Sequence, residues 1–367
     1  MTAAAEKLRQ AVAGVIDDWQ GGRHVASVDI DELLVRLFRF QVDHIAPYAA
    51  LTRSRGIDPA RVCDWRDIPC APAELWKLVP MATPAAVARP AAVFETSGTT
   101  SGAPGRAYLA DTGLYHRAAR AVFARFAADQ AERLALCWLN LVPNPAERPH
   151  SSLGHMVADL CRAATEVYWL LGGDGRPDVE GFATACTQAA RTGKPVLVAA
   201  TSVALHAVCA GLPPEWRVAL PPGSRLMDTG GPKGRDSDVD RTAQHAVLTE
   251  RLGLPAHALI GEFGMTELAS QRYEPVWRLA DPARRAYVGP PWLRTRVLRV
   301  VSGAVPTDDC AVGEIGVVAH LDLANVDTCA FLQTGDLGWL DRDGHLVLQG
   351  RLAGAELRGC GLAVAGG

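Results

Sequence analysis

A regular alternation of strand-like and helix-like segments between residues 92 and 263 constrains the fold of this chain more than any other feature. Short apolar runs that suit buried strands are separated by stretches of helical periodicity. In chain order the strand-like runs are AAVFETS, RLALCWLNLV, EVYWLL, PVLVAAT, SRLMDTGG and HALIGEF. Strands that alternate with helices of this length pair in parallel, with helices on both faces of the sheet. The pattern therefore predicts a large α/β body with several layers.

The segments on either side of this body have different patterns. Helical periodicity marks residues 3–19 and the run DELLVRLFRFQVDHIAPYAALTRSRG. After about Pro290 the sequence pattern predicts short strands joined by Gly and Asp turns, with DRDG as a hairpin turn. We therefore predict four parts: an N-terminal helical segment packed on the body, an α/β core, a smaller β-rich subdomain and a flexible tail, at residues 1–60, 61–289, 290–352 and 353–367.

Composition excludes several classes of function. The 37 basic and 40 acidic residues are interspersed and give a net charge of -3, which offers no basis for nucleic-acid binding. No run approaches the roughly 18 charge-free apolar residues that cross a bilayer, and the charged N-terminus does not suit a signal peptide. Nine cysteines without a C-x-x-C pair indicate reduced, mostly buried thiols. We expect a cytoplasmic enzyme without nucleic-acid binding or membrane insertion.

The segment VFETSGTTSGAPGRAY, residues 93–108, is dense in Ser, Thr and Gly. It follows a predicted strand and precedes a predicted helix, which places it at the carboxyl end of the sheet, where open α/β sheets bind ligands. Backbone N–H groups and hydroxyls of such a loop can surround a polyphosphate, with Arg106 as a charged partner. A structural Gly-rich turn is the alternative, and this segment alone does not decide between them.

Two later segments carry further candidate residues. GEFGMTEL ends a predicted strand with Thr266 and Glu267, and QTGDLGWLDRDGHLVLQGR places Asp336 in a predicted tight turn before a hairpin. Each has a structural alternative when it is taken singly. Thr266 can be a helix N-cap with Glu267 favouring the helix dipole, and Asp336 can form an Asx turn.

In this order the three segments resemble the adenylate-forming (ANL) superfamily, which includes acyl- and aryl-CoA synthetases, luciferases and nonribosomal adenylation domains. The resemblance implies the fold of that family's large N-terminal domain, ATP and Mg²⁺ as cofactors, catalytic roles for Thr266, Glu267 and Arg351, and Glu267 as the magnesium ligand. It implies nucleotide binding by Ser97, Gly98, Thr99, Thr100, Ser101, Gly102, Arg106, Gly261, Glu262, Phe263, Gly264, Met265 and Asp336.

Four longer segments indicate which branch of the superfamily the sequence resembles. LVPNPAERPHSSLGHM, DTGGPKGR, GEFGMTELASQRYEP and RLAGAELRGCGLA are similar to the acyl-protein synthetases of bacterial luminescence operons, the LuxE type (long-chain fatty acid–luciferin component ligases). That family adenylates a fatty acid and passes the acyl group to its own cysteine, here Cys360, and then to an acyl-CoA-reductase-like partner. His155 and Gly230 are expected in the substrate-binding region, although a packed helical histidine is the plain alternative. Ser202 is explained equally well as a helix N-cap.

These expectations leave alternatives open. The acceptor of the acyl group is Cys360, coenzyme A or a carrier protein, and Cys360 can also be an ordinary thiol in the tail. Arg106 stands where a lysine is usual, and the Ser/Thr/Gly segment carries an additional residue before its second glycine. The expected fold lacks the mobile C-terminal domain that supplies a catalytic lysine in most of the superfamily. A nucleotide-binding regulatory protein without catalytic activity is therefore the rival interpretation.

Overall fold

The predicted parallel sheet is present, as the centre of one of two compact units into which the chain divides. The computed structural model describes residues 3–96, 103–230, 241–300, 306 and 308–352. The first unit comprises residues up to Ala121, Met265–Gln271 and the chain from Gly289 onwards; the second comprises Val122–Gly264 and Arg272–Val288. The four-part division drawn from the sequence stays a prediction.

The described part of the first unit begins with helices and contains two sheets. Its helices are α1 (Ala3–Gln20), α2 (Ser27–His44), α3 (Ala46–Ser54), α4 (Leu75–Leu78), α5 (Pro84–Ala88) and the first part of α6 (Gly113–Phe126). Its strands are β1 (Ala71–Pro72), β2 (Ala92–Glu95), β3 (Arg106–Leu109), β10 (Leu293–Leu298), β11 (Gly316–Asp322), β12 (Phe331–Leu340) and β13 (Leu346–Arg351). Strands β10–β13 form consecutive antiparallel pairs, and β1 pairs in parallel with β12.

The N-terminal helices pack on this sheet through aromatic rings and one buried amide. Phe38 of α2 and Tyr48 of α3 contact Phe331 of β12, with ring centroids 6.0 and 5.7 Å apart. The fully buried Gln41 donates from Nε2 to the carbonyls of Asn325 and Thr328, at 2.7 and 2.8 Å, and accepts from Ala330 N at 2.9 Å. The loop between β11 and β12 is therefore held by α2.

The second unit is built on a six-stranded sheet with the order β5-β4-β6-β7-β8-β9. Its strands are β4 (Cys137–Leu141), β5 (Glu166–Trp169), β6 (Val196–Thr201), β7 (Arg225–Thr229), β8 (Leu259–Phe263) and the short antiparallel β9 (Arg272–Tyr273). Its helices are the rest of α6, α7 (Gln130–Ala135), α8 (Ser152–Cys161), α9 (Val179–Thr192), α10 (Ser202–Gly211), α11 (Arg241–Leu252) and α12 (Val276–Leu279).

Burial on both faces explains the apolar strands of this second sheet. Leu139 of β4, Val198 of β6 and Leu226 of β7 lie in one core cluster with residues of α9, α10 and α11. On the other face Trp138 stacks on Phe123 of α6, with ring centroids 5.8 Å apart. Central strands of parallel sheets read as near-continuous apolar runs for this reason. The predicted α/β class is confirmed, and so is the smaller β-rich region after residue 290.

One element of the predicted organisation is wrong. The Ser/Thr/Gly segment does not lead from a strand of the parallel sheet into a helix, because β2 and β3 flank it and pair with each other as an antiparallel two-stranded sheet. The sequence RAYL was too short and too close to the Gly- and Pro-rich text to be recognised as a returning strand. Within the described part of the chain, no helix is long and apolar enough to cross a membrane.

Candidate functional site

The hairpin of β2 and β3 carries the first candidate segment. Its last register pair joins Glu95 to Arg106, whose Nε donates to Glu95 Oε1 at 3.0 Å. Beyond that pair, Thr96 N donates to Gly105 O and Gly105 N donates to Thr96 Oγ1, both at 2.9 Å. Ser97, Gly98, Thr99, Thr100, Ser101 and Gly102 lie outside the described residues. Phosphate contacts by them and by the paired Arg106 stay predictions.

The Thr-Glu segment lies against this hairpin within the first unit. Thr266 Oγ1 donates to the carbonyl of Glu95 at 3.3 Å, although the two residues are 171 positions apart in the sequence. Met265–Gln271 has no regular secondary structure, and Leu268 N donates to Met265 O at 3.1 Å to close a turn. The N-cap alternative for Thr266 is therefore wrong. The fold joins the two motifs that the sequence could only place in order.

Glu267 is held in a mostly buried position. Glu267 is 5% exposed, and Asn325 Nδ2 donates to the backbone carbonyl of Glu267 at 2.6 Å. Buried carboxylates are found paired, hydrogen-bonded or bound to metals, because an isolated buried charge is costly. The burial of Glu267 therefore fits a carboxylate that is hydrogen-bonded, ion-paired or bound to a metal ion.

The ribose-binding candidate Asp336 is a strand residue. It lies within β12 and faces Arg351 of β13 as a register pair, with Arg351 Nε 3.1 Å from Asp336 Oδ1. Its backbone N–H donates to Thr334 Oγ1 at 3.0 Å. The predicted tight turn and the Asx-turn alternative are wrong, because the DRDG hairpin turn comes after Leu340. Two residues that the resemblance singled out separately therefore form one ion pair.

In the second unit, Gly261, Glu262 and Phe263 end β8 and are buried, and Gly264 follows them. Gly261 has a structural reason to be glycine. A Cβ at this position would lie 2.3 Å from Arg241 Nη2 and 2.6 Å from Glu274 Cδ. Glu274 accepts from Gly261 N at 2.9 Å and from Arg241 Nη1 and Arg285 Nη1, both at 2.8 Å. The carboxyl end of β8 is thus fixed by a buried ion-pair network.

A second carboxylate, the fully buried Asp228 of β7, extends this network. It accepts from Ser202 Oγ at 2.6 Å and from Arg241 Nε and His245 Nε2, both at 3.1 Å. Burial acts to raise the pKa of the Asp228 carboxyl, but the hydrogen bond from His245 and the charge of Arg241 outweigh it and hold the pKa below its ordinary value. Asp228 is therefore ionised at neutral pH.

These contacts change the interpretation of Ser202 and give a partner to His245. Thr201, rather than Ser202, caps α10 by accepting from Ala204 N at 3.2 Å, so Ser202 is left to bond Asp228. His245, which matched no motif, contacts the Asp228 of the DTGG segment. Ser202 and His245 are 26 and 17 positions from Asp228, and the spacing of the sequence gives no signal for such contacts.

The expected substrate-binding residues also lie in the second unit. Gly230 follows β7 with φ +149°, and a Cβ on it would be 2.8 Å from Ser202 Oγ. His155 lies in α8, which Ser151 caps through Gly154 N at 3.1 Å. Burial lowers the pKa of His155 below its ordinary value, against the opposing charge of Asp159. Their contact with a substrate stays a prediction, and Cys360 lies outside the described residues.

Asp322 and Asn325 hold the Thr-Glu segment by hydrogen bonds, and the sequence did not single them out. Asp322 accepts from Ser270 N at 2.8 Å, from Ala269 N at 3.0 Å and from Ser270 Oγ at 2.9 Å. Burial raises the pKa of its carboxyl to about 6, against the opposing hydrogen bonds. The only sequence signal is an Asp and an Asn in the otherwise apolar run LDLANV.

Comparison with known proteins gives the fold. No protein-family model matches the chain, and no curated protein matches it. Solved structures do: ATP-bound MatB from Rhodopseudomonas palustris matches with a TM-score of 0.50 and 16% identity. Two ATP-bound RpMatB-BxBclM chimeras, B3 and B1, match with a TM-score of 0.51 and 16% and 17% identity.

Each of these matches covers 71% of this chain and 47% of the solved chain. This chain therefore spans about half the length of the structures that it resembles. At such low identity the likeness shows a shared fold, and it confirms the predicted fold class.

Proposed function

We propose that this protein activates a carboxylic acid as its acyl-adenylate at the expense of ATP, and then passes the acyl group to a thiol. The observation that carries the proposal is the hydrogen bond from Thr266 to Glu95, which places the Thr-Glu segment on the strand that enters the Ser/Thr/Gly segment. The Asp336–Arg351 pair and the fold shared with an ATP-bound enzyme support it.

In the first half-reaction a carboxylate oxygen of the acid attacks the α-phosphorus of ATP, and the bond from that phosphorus to the bridging oxygen breaks to release pyrophosphate. Both reactants are negative, so the protein must supply donors and cations where charge develops. Thr266 can turn its hydroxyl from the Glu95 carbonyl to the α-phosphate when the nucleotide binds, since a hydroxyl has one proton to donate. Asp336 offers an acceptor to the ribose hydroxyls, and Arg351 fixes the orientation of its carboxylate.

Glu267 fits the expected magnesium site, because Mg²⁺ prefers hard oxygen ligands and uses one or two carboxylates together with substrate phosphates. Its buried position and held backbone meet the need for a fixed ligand. Bound Mg²⁺ would neutralise negative charge on the phosphates. The chain's own contribution is to hold the carboxylate in place and to keep water away from it.

In the second half-reaction a thiolate attacks the acyl carbonyl, and AMP leaves with the electron pair of the broken mixed-anhydride bond. The LuxE-type resemblance favours Cys360 as this thiol, followed by transfer to an acyl-CoA-reductase-like partner. Coenzyme A or a carrier protein would make the enzyme an acid–thiol ligase with an external acceptor. The identity of the acid is left to a panel of fatty, aromatic and amino acids.

The adenylation step is tested by acid-dependent exchange of labelled pyrophosphate into ATP. We expect exchange with at least one class of acid, and a loss of about 100-fold or more in Glu267→Gln, the size typical of removing an electrostatic catalytic group. Glu314→Gln, which changes an exposed carboxylate of the same unit, is the control. Tight ATP binding without exchange for any acid would favour the regulatory protein instead.

The thiol step is tested by intact-protein mass spectrometry after incubation with ATP and the active acid. An acyl mass that disappears in Cys360→Ala and persists in Cys63→Ala, an exposed cysteine, identifies Cys360 as the acceptor. Full turnover to coenzyme A by Cys360→Ala, with no acyl mass on the wild type, would assign an external thiol.

A further inference from the structure

The strand end and loop at Asp322–Asn325 hold the segment that carries Thr266 and Glu267. Asp322 is the last residue of β11, and the loop from Leu323 to Ala330 connects it to β12. Asp322 and Asn325 are 0% and 4% exposed. We propose that these two side chains are positioning residues for the adenylation step, since together they set the backbone of Met265–Gln271. This inference rests on the proposed function.

The segment Met265–Gln271 has no regular secondary structure. A segment outside helices and sheets must satisfy its buried N–H and C=O groups with other partners. Ala269 N and Ser270 N both donate to Asp322 Oδ2, at 3.0 and 2.8 Å. Asn325 Nδ2 donates to the carbonyl of Glu267 at 2.6 Å. The backbone on the C-terminal side of the Thr-Glu pair is therefore held by two side chains from one loop region.

Asp322 and Asn325 are themselves held in place by hydrogen bonds. Asp322 Oδ1 accepts from Ala324 N at 3.0 Å and from Ser270 Oγ at 2.9 Å, while Ser270 Oγ also accepts from Trp292 Nε1 at 2.9 Å. The backbone of Asn325 is fixed by Gln41, whose Nε2 donates to its carbonyl at 2.7 Å. The Asp322 carboxylate accepts from four donors, and the backbone of Asn325 is held by Gln41, so both side chains have little freedom to move.

Geometry at a metal ligand is sensitive to such support. Residues that orient a ligand change metal affinity or activity by about 10- to 100-fold when they are removed. Asn325 acts at the carbonyl of Glu267 itself, and Asp322 acts two and three residues further along. Neither side chain is assigned a contact with nucleotide or acid, so their effect should pass through the placement of Glu267.

Two variants test this role. In Asn325→Asp the shape is kept but a carboxylate replaces the donor that faces the Glu267 carbonyl. In Asp322→Asn the amide N–H₂ must face at least one backbone donor. The control is Asp341→Asn, because Asp341 Oδ1 also accepts two backbone N–H groups, from Asp343 and His345, in the β12–β13 hairpin of the same unit.

The measurements are kcat for pyrophosphate exchange, the Mg²⁺ concentration at half-maximal rate, and the thermal midpoint. We expect kcat to fall about 10- to 100-fold and the Mg²⁺ requirement to rise in both variants, with Asp341→Asn close to wild type. Folded variants with wild-type kcat and Mg²⁺ dependence would overturn the positioning role. If Asp322→Asn does not fold, Asn325→Asp decides. Absence of exchange in the wild type would instead refute the proposed adenylation.

Discussion

Replacement of Glu274 by Gln should destabilise the second unit strongly, because this carboxylate is fully buried and accepts from three different residues. The amide keeps the shape and leaves no cavity, but it removes the charge and places an N–H₂ group against at least one of these donors. Breaking a buried ion pair costs about 3–5 kcal/mol. The side chains of Arg241 and Arg285 are 30% and 33% exposed, and partial hydration reduces that figure. We expect a loss of about 3 kcal/mol.

Urea-induced unfolding followed by tryptophan fluorescence measures this loss, with the slope of the transition checked for change. Glu250→Gln is the matched control in the same unit, because Glu250 and its partner Arg217 have side chains 66% and 41% exposed. An exposed pair of this kind contributes about 0–1 kcal/mol. If the two variants differ by less than about 0.5 kcal/mol, the carboxyl end of β8 is not held by the charge of Glu274.

Four further outcomes follow from individual positions. Gly230→Ala should lower the free energy of unfolding by about 1–3 kcal/mol, because of its positive φ and the close Ser202 Oγ. Gly14→Ala in α1, where a Cβ meets nothing within 4 Å, should raise the free energy of unfolding by about 0.5–1 kcal/mol. Urea unfolding measures both changes, and a change of the same sign in the two variants would contradict the reasoning. Burial raises the pKa of the Cys70, Cys137 and Cys161 thiols to about 11, so at pH 8 a disulfide reagent should label exposed Cys63 well before these three, as peptide mapping would show. Arg351→Gln should change the free energy of unfolding by less than about 1 kcal/mol, because the Arg351 side chain is 43% exposed. The same variant should bind ATP about 10-fold more weakly in calorimetry, because the Asp336 carboxylate loses the group that orients it. Unchanged affinity would contradict the assignment of Asp336 to the ribose site.

The sequence predicted the α/β body because its strands are buried on both faces and its helices are amphipathic, so each type of element leaves its own periodicity. Strands such as Val196–Thr201 and Leu259–Phe263 could be recognised for this reason. The strand Arg106–Leu109 could not, because it is four residues long and pairs only with β2. A short strand forms because a partner strand pairs with it, and the residues of the strand itself do not indicate that partner.

The candidate site divides in the same way. Thr266, Glu267 and Asp336 were found because they belong to segments with a recognisable order. The residues that hold them were not found, since Asn325 is 58 positions from Glu267 and Gln41 is 284 positions from Asn325. A lone buried polar residue has no period and no spacing, so its role is decided only when the fold brings a partner to it. The placement of Asp336 in a turn was wrong because Thr-Gly-Asp is typical of turns, whereas here it lies within a long strand.

The candidate residues of the first unit and those of the second unit are stabilised by different means, and this has a consequence for how mutations act. In the second unit, Asp228 and Glu274 hold strand ends through ion pairs with Arg241, so their loss exposes uncompensated charge and lowers stability first. In the first unit, Met265–Gln271 is placed by hydrogen bonds from single side chains, each contributing about 0.5–1.5 kcal/mol, or more where the partner is charged. Removing one such bond leaves β10–β13 intact, because their ladders do not depend on it. Variants at Asn325 should therefore lose more activity than their loss of stability explains, whereas variants at Glu274 should lose stability and activity together.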